Sequence, residues 1–280
     1  MRGGIGTEYS GYQTFRFNEQ ELGEFYSHMN ENTHELLQNE YIVLEDQNGE
    51  FFDAYRWSGE KMVKIPYKVI NTKFAGRIKP RNTQQRLAID LLYNDSITVK
   101  MLSGNYGTGK DYLMCAAAID MLEKGKVDKI VYVRNNIEVK DSKPIGHLPG
   151  TGNEKLMPYA MVLADKLGGV DALNMLITQG RVELTHLGFL RGRDIQNAII
   201  YYTEAENISR AHAQLLLGRV GEGSSLWLNG DTRQTDMEVF ERDGGMSAML
   251  ERLRGNPMFG YVKLIKTERS PTAALADLLD

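Results

Sequence analysis

Residues 104–111 read Gly-Asn-Tyr-Gly-Thr-Gly-Lys-Asp, and the reading of those eight decides the fold. They follow an apolar, strand-like run (Ile97, Val99, Met101, Leu102) and precede a helix-forming run from Tyr112 to Leu122. Strand, glycine loop and helix in that order are the setting of a phosphate-binding P-loop. Gly104, Gly107 and Gly109 let backbone N–H groups turn inward on a polyphosphate, with Asn105, Tyr106 and Thr108 between them. The helix N-terminus adds its dipole, and Lys110 reaches the outer phosphates. The alternative is a glycine-rich turn with an incidental lysine. The last position is anomalous, because a P-loop carries Ser or Thr there to ligate the Mg²⁺ that accompanies ATP. This chain has Asp111.

A second strand in such proteins ends in an acid of the Mg²⁺ shell, often followed by an acid that polarises water. Ala198–Tyr202 is that strand here, and it runs into Thr203-Glu204-Ala205-Glu206-Asn207. Thr203 stands where Asp is expected, so the two metal positions have exchanged residue types. An unbalanced extra carboxylate about 4 Å from a phosphate costs on the order of 4 kcal/mol at an effective dielectric near 20. The exchange keeps the charge constant: Asp111 ligates Mg²⁺ and Thr203 bonds to it or to a metal-bound water. A degenerate site that binds nucleotide and hydrolyses it poorly is the competing reading. Glu204 is the candidate to orient the attacking water, against an exposed loop carboxylate. Asn229-Gly230-Asp231-Thr232-Arg233-Gln234 follows a further apolar strand, placing Asp231 and Gln234 at the same sheet edge, where ligands collect. A polar turn is the plain alternative for that motif.

The 280 residues carry a net charge of −4, so no global positive field recruits nucleic acid and any such contact comes from a local basic stripe. Arg77, Lys79, Arg81 and Arg86 form one basic cluster, and Arg191 with Arg193 another. Arg191 and Arg193 are the candidates to contact nucleic acid, although both clusters are equally suited to phosphates of ATP or to a neighbouring subunit. The lone cysteine, Cys115, excludes a disulfide framework, and one Cys with five His leaves no zinc spacing. No apolar run approaches a membrane span and the N-terminus lacks a signal-peptide core. A cytoplasmic protein is expected.

The sequence divides at about residue 76. From Arg77 onward, β-then-α segments repeat, as in a mostly parallel sheet with crossover helices. Expected strands are 98–102, 129–133, 182–184, 198–202, 225–228 and 261–264. Residues 1–76 read as a small α+β domain with a flexible, glycine-rich stretch at 1–10. Asn18 with Glu21 opens a helix through about Leu37, and Asn48-Gly49 turns a hairpin between 41–44 and 51–57, with a third strand at 61–65. Its acids Glu40, Glu45, Asp46 and Asp53 are assigned to solvated strand faces and turns rather than to a metal. Ser209 and Ser270 are expected to cap helices.

These residues, in this order, resemble the PhoH-like ATPases, a family related to the superfamily 1 helicase core. The likeness spans about Arg77 to Leu279. It also rests on Lys79 to Gln85, Ile145 to Gly150, Phe189 to Arg193, Arg219 to Gly223 and Glu268-Arg269-Ser270. The branch that fuses a PIN nuclease domain ahead of the ATPase is most similar. The resemblance implies an α/β, RecA-like P-loop fold and a helicase-like ATPase that acts on RNA or single-stranded nucleic acid as a homo-hexameric ring. It implies that Gln85 reads adenine, that Asp231 and Gln234 sense the γ-phosphate, and that Arg269 is an arginine finger, possible across subunits. Glu206 replaces a usual Gln and Asn135 a usual Pro. About 76 residues precede the ATPase, too few for a PIN domain of on the order of 120, so no nuclease is expected here, and a separate nuclease is a candidate partner. A nucleotide-dependent assembly module without productive turnover is the second function class. A P-loop kinase has no role for the Gly-Asp-x-x-Gln and Glu-Arg-Ser elements.

Overall fold

The computed structural model describes residues 9–135, 156–231 and 244–279. The first strands are β1 (Tyr12–Arg16), β2 (Tyr41–Glu45), β3 (Phe51–Trp57) and β4 (Met62–Lys64), which form one sheet in that order. β1 pairs parallel with β2 and the rest are antiparallel. Helix α1 (Glu19–Ser27) starts on the expected reciprocal cap: Asn18 accepts from the Glu21 N–H, and Glu21 accepts from the Asn18 N–H. It ends ten residues before the expected Leu37. The His28 ring bonds back to the Glu24 carbonyl, and Asn32 then bonds both the N–H and the carbonyl of Leu36. Those local bonds turn the chain so that Leu36 enters the core beside Phe25, Ile42 and Trp57. Burial of a side chain outweighs another turn of helix.

The acids of this unit are also less solvated than expected. Glu40 and Asp53 are buried. Glu40 accepts from the Leu37 N–H, and Asp53 accepts from the Ala54 N–H and the Tyr55 hydroxyl. A two-stranded ribbon follows, β5 (Ile70–Thr72) with β6 (Gly76–Ile78), and the expected boundary at 76/77 falls inside β6. Tyr41 donates to Asp90 at 2.8 Å, and the Asn39 amide donates to the Phe259 carbonyl at 3.0 Å. Tyr41, Val43 and Ile65 share a core with Leu87, Leu102 and Val262.

Helix α2 (Thr83–Leu92) is capped by Asn82. The large sheet then comprises β7 (Val99–Gly104), β8 (Lys129–Arg134), β9 (Val182–His186), β10 (Ala198–Tyr202), β11 (Ser225–Gly230) and β12 (Phe259–Leu264), with α3 (Lys110–Glu123) between β7 and β8. All six expected strands are present and every pairing is parallel, in the order β12-β7-β11-β10-β8-β9. This is the α/β, RecA-like arrangement. Period-two alternation explains its two cores. Ile199 and Tyr201 face α2 and α3, whereas Ile200 and Tyr202 face the helices Arg210–Arg219 and Gly245–Leu253. Ser209 and Ser270 cap their helices as expected.

Register aligns the strand ends. Gly230 lies beside Ser103, Tyr202 beside Leu228, and Tyr202 beside Val133. The next residues, Gly104, Asp231, Thr203 and Arg134, therefore emerge along one edge of the sheet.

Candidate nucleotide site

The loop after β7 takes the shape that its glycines permit. Gly107 and Gly109 have φ of +85° and +87°, a region closed to most side chains. A side chain at Gly107 would strike Arg269, and one at Gly109 would strike the Gln85 amide. Thr108 closes the turn by donating its hydroxyl to the Asn105 carbonyl at 2.9 Å. The helix begins at Lys110, whose N-terminal N–H groups have no side-chain cap and stay available to an anion.

Three cavities share the walls of this loop. One of about 200 Å³ is lined by Lys110, Asp111, Thr203, Glu204, Glu206 and Asp231, among others. The second, of about 330 Å³, shares Tyr106, Lys110 and Asp111 with the first, and Gly107, Gly109 and Arg269 with the third. The third, about 460 Å³, reaches Lys79, Arg81, Gln85 and Tyr112. The exchanged residues Asp111 and Thr203 thus meet in one cavity. Asp111 accepts a hydrogen bond from the Asn229 amide, and its other oxygen lies 3.7 Å from Lys110 Nζ. Thr203 is buried, and its hydroxyl has no well-formed hydrogen bond although the Tyr132 phenol lies beside it. A carboxylate and an unsatisfied buried hydroxyl are hard oxygen donors that suit Mg²⁺. No three acids, histidines or cysteines converge as a metal cluster among the described residues, so phosphate and water must complete any shell.

Glu204 sits at φ +56°, a left-handed backbone that side-chain-bearing residues seldom adopt, and Arg134 Nη2 lies 2.8 Å from both of its oxygens. Arg134 in turn stacks 3.5 Å over the Tyr159 ring. Glu206 is buried and accepts the Asp231 N–H at 2.9 Å, so it anchors the end of β11. Burial raises the Glu206 carboxyl above its ordinary range, opposed by the Asp231 N–H and by Lys110. Behind the cavity, burial pushes Cys115 up to about 12 and raises Tyr132 and Tyr201, leaving these groups neutral. Proton handling at this edge therefore falls to the carboxylates.

Gln85 lines the third cavity but is committed to the protein. Its amide donates to the Thr108 carbonyl at 3.1 Å and accepts from the Arg81 N–H at 2.9 Å, so it braces the loop. Arg269 lies against Gly107 of its own chain, held there because the Glu268 N–H donates to the Gly107 carbonyl at 2.9 Å and Asn82 bonds the Glu268 side chain. Arg193 forks onto Glu183 at 2.7 and 3.0 Å, near the start of the edge strand β9, with Lys129 at 3.1 Å on the same acid. Arg191 is exposed nearby. Neither lines the three cavities. Gln234 and the stretch Ile145 to Gly150 lie outside the described residues.

Arg134 and Asn229 were not candidates from sequence. Their only signal is position, since each stands at the carboxyl end of an apolar strand.

The model of the family described as "PhoH-like protein" matches residues 77–275. Relatives include "Protein PhoH2" of Bacillus subtilis (strain 168), 33% identical over 97% of this chain and 64% of that protein. "Protein PhoH2" of Mycolicibacterium smegmatis is 32% identical over 71% of this chain and 46% of its own length. "PhoH-like protein" of Bacillus subtilis is 33% identical over 61% and 54% respectively. The chain thus spans about half to two thirds of the length of these relatives. No helix among the described residues is long and apolar enough to cross a membrane. With the P-loop built and the acids of the neighbouring strand ends turned toward it, the chain belongs to the PhoH-like protein family.

Proposed function

We propose that the chain binds and hydrolyses Mg·ATP in the cytoplasm and acts on RNA or single-stranded nucleic acid as a hexameric, helicase-like motor. One observation carries the ATPase part: Lys110, Asp111, Thr203, Glu204, Glu206 and Asp231 line a single cavity at the end of the P-loop. Lys110 and the loop N–H groups hold the phosphates. Asp111 and Thr203 would hold Mg²⁺, which when bound neutralises charge on the phosphate oxygens. Glu204, once it leaves Arg134, orients water toward the γ-phosphorus. Asp231 senses that phosphate, and Arg269 stabilises the charge that develops on it from its own chain's loop. The RNA and ring parts rest on the family resemblance, as does a separate nuclease partner.

The Arg134–Glu204 pair favours a second reading, in which nucleotide binding drives assembly with little turnover. A steady-state ATPase assay of the native chain, Asp111→Thr, Thr203→Asp and the double change decides between them. The first reading requires each single change to lose activity and the double to recover it. Inactivity of all four proteins, with ATP still bound, would leave the second.

A further inference from the structure

Residues 61–89 hold eight lysines and arginines and no aspartate or glutamate, in a chain whose net charge is −4. The fold does not scatter this segment. It forms β4, the β5–β6 ribbon and the first turns of α2, ending beside the P-loop. Large aromatic rings are exposed along it. Tyr67 is 56% exposed, and Phe51, contributed by the neighbouring strand, is 36% exposed. Between them sits Arg86, its guanidinium 4.8 Å from the Phe51 ring and 5.7 Å from the Tyr67 ring. The Ile65 carbonyl accepts from Arg86 at 3.0 Å and fixes the arginine in that position.

We infer that this face is where the chain takes a single-stranded nucleic acid, with Tyr67 and Phe51 stacking bases and the surrounding cations following the backbone. The inference deepens the nucleic-acid part of the proposed function and rests on it. Exposed rings interleaved with cations, on a segment with no acid of its own, fit an unpaired polyanion whose bases have open faces. Arg193 fits less well, because Glu183 already neutralises it. Acids of neighbouring elements temper the patch: Lys64 lies 3.6 Å from Asp53, Glu123 accepts the Lys73 N–H, and Glu268 shares a cavity with Arg77, Lys79 and Arg81.

Position supplies a link to the nucleotide. Arg86 follows Gln85 on the first turn of α2, and Gln85 bonds the Thr108 carbonyl of the P-loop. Arg81 donates its N–H to the same Gln85. A strand that draws on Arg86 therefore acts one residue away from the brace of the loop.

The test is fluorescence anisotropy of a labelled oligouridylate without nucleotide, beside a duplex of equal length and anionic phospholipid vesicles. The paired change Phe51→Ala with Tyr67→Ala is expected to weaken oligouridylate binding roughly tenfold or more while keeping its salt dependence, since stacking is lost and charge is not. Arg191→Glu is expected to leave it unchanged. Thermal unfolding and binding of a fluorescent ATP analogue report whether the paired variant is folded. Photocrosslinking of a 4-thiouridine oligonucleotide to the native chain is an independent readout, with adducts expected at Phe51 or Tyr67. Unchanged affinity in the paired variant, equal preference for duplex or vesicles, or adducts confined elsewhere would overturn the assignment. Because none of these measurements needs turnover, an inactive ATPase with intact oligouridylate binding would sink the motor and spare the surface.

Discussion

Asn229, at the end of β11, donates its side-chain amide to the Asp111 carboxylate at the start of α3. The same amide lies 3.3 Å from the Tyr201 hydroxyl. The residue that breaks the P-loop pattern is therefore held in place by a neutral donor on the strand between β7 and β10. Removing that donor with Asn229→Ala should weaken Mg·ATP binding by roughly ten- to a hundredfold, the range for a hydrogen bond to a charged group. Asn229→Asp should be worse, because two carboxylates would then face each other. Titration with a fluorescent ATP analogue measures both, and wild-type affinity in Asn229→Ala would show that the amide only fills space.

Glu204 and Arg134 make the second pair at this edge. Glu204→Gln should lower kcat by about two to four orders of magnitude with ATP affinity kept, as expected for a residue that acts on water. Arg134→Gln frees the carboxylate and should raise basal turnover. Single-turnover and steady-state assays on the two variants check this, and a fall in turnover for Arg134→Gln would mean that the arginine itself serves the nucleotide.

Glu206 makes stability depend on pH. Its carboxyl is raised in the folded chain, so between the unfolded value near 4.3 and the raised folded value the native state binds more protons than the unfolded one. Its contribution to stability is fully present below that window and lost as pH rises through it. Glu206→Gln keeps an oxygen for the Asp231 N–H and carries no charge. The variant should melt higher than the native chain at neutral pH, with the difference shrinking toward pH 4. Thermal unfolding at several pH values tests the trend.

Lys100 is a buried cation on the P-loop strand, its ammonium bonded to the Leu92 carbonyl and 5.5 Å from the Trp227 ring. Burial brings it down to about 7. Above that value the folded chain holds it neutral while the unfolded chain keeps its proton to about 10.4, so stability rises with pH across this interval. Lys100→Met should stabilise the fold at pH 7 by about 2 kcal/mol, allowing for the lost hydrogen bond at Leu92. The gain should shrink as pH rises above 7 and be gone by about pH 10.5, where the unfolded chain is giving up the same proton. Urea unfolding at both pH values measures it.

Much of the architecture was readable because it is encoded locally. Strands such as Ala198–Tyr202 are short apolar runs with turn residues at their ends, and their β-then-α spacing implies a parallel sheet. The P-loop was equally plain, since three glycines and a lysine must be consecutive to cradle phosphate. Helix α1 shows the limit: its start is written in Asn18 and Glu21, but its end depends on Leu36 finding the core. Gln85 shows another. The resemblance implied that it reads adenine, whereas its use as a brace of the loop depends on the Thr108 carbonyl.

Sequence by itself determined the phosphate loop, the six strands, the helix caps and the unusual residue types at positions 111 and 203, because each is read within its own short motif. Only the tertiary structure decided what those groups touch. Asp111 and Asn229 are 118 residues apart, and Arg134 and Glu204 are 70 apart. They meet because β11 enters the sheet between β7 and β10 and β8 lies beyond, an order set by crossover connections and core packing. The same packing gathers Phe51, Tyr67 and Arg86, whose separation along the chain gives no sign that they share a surface.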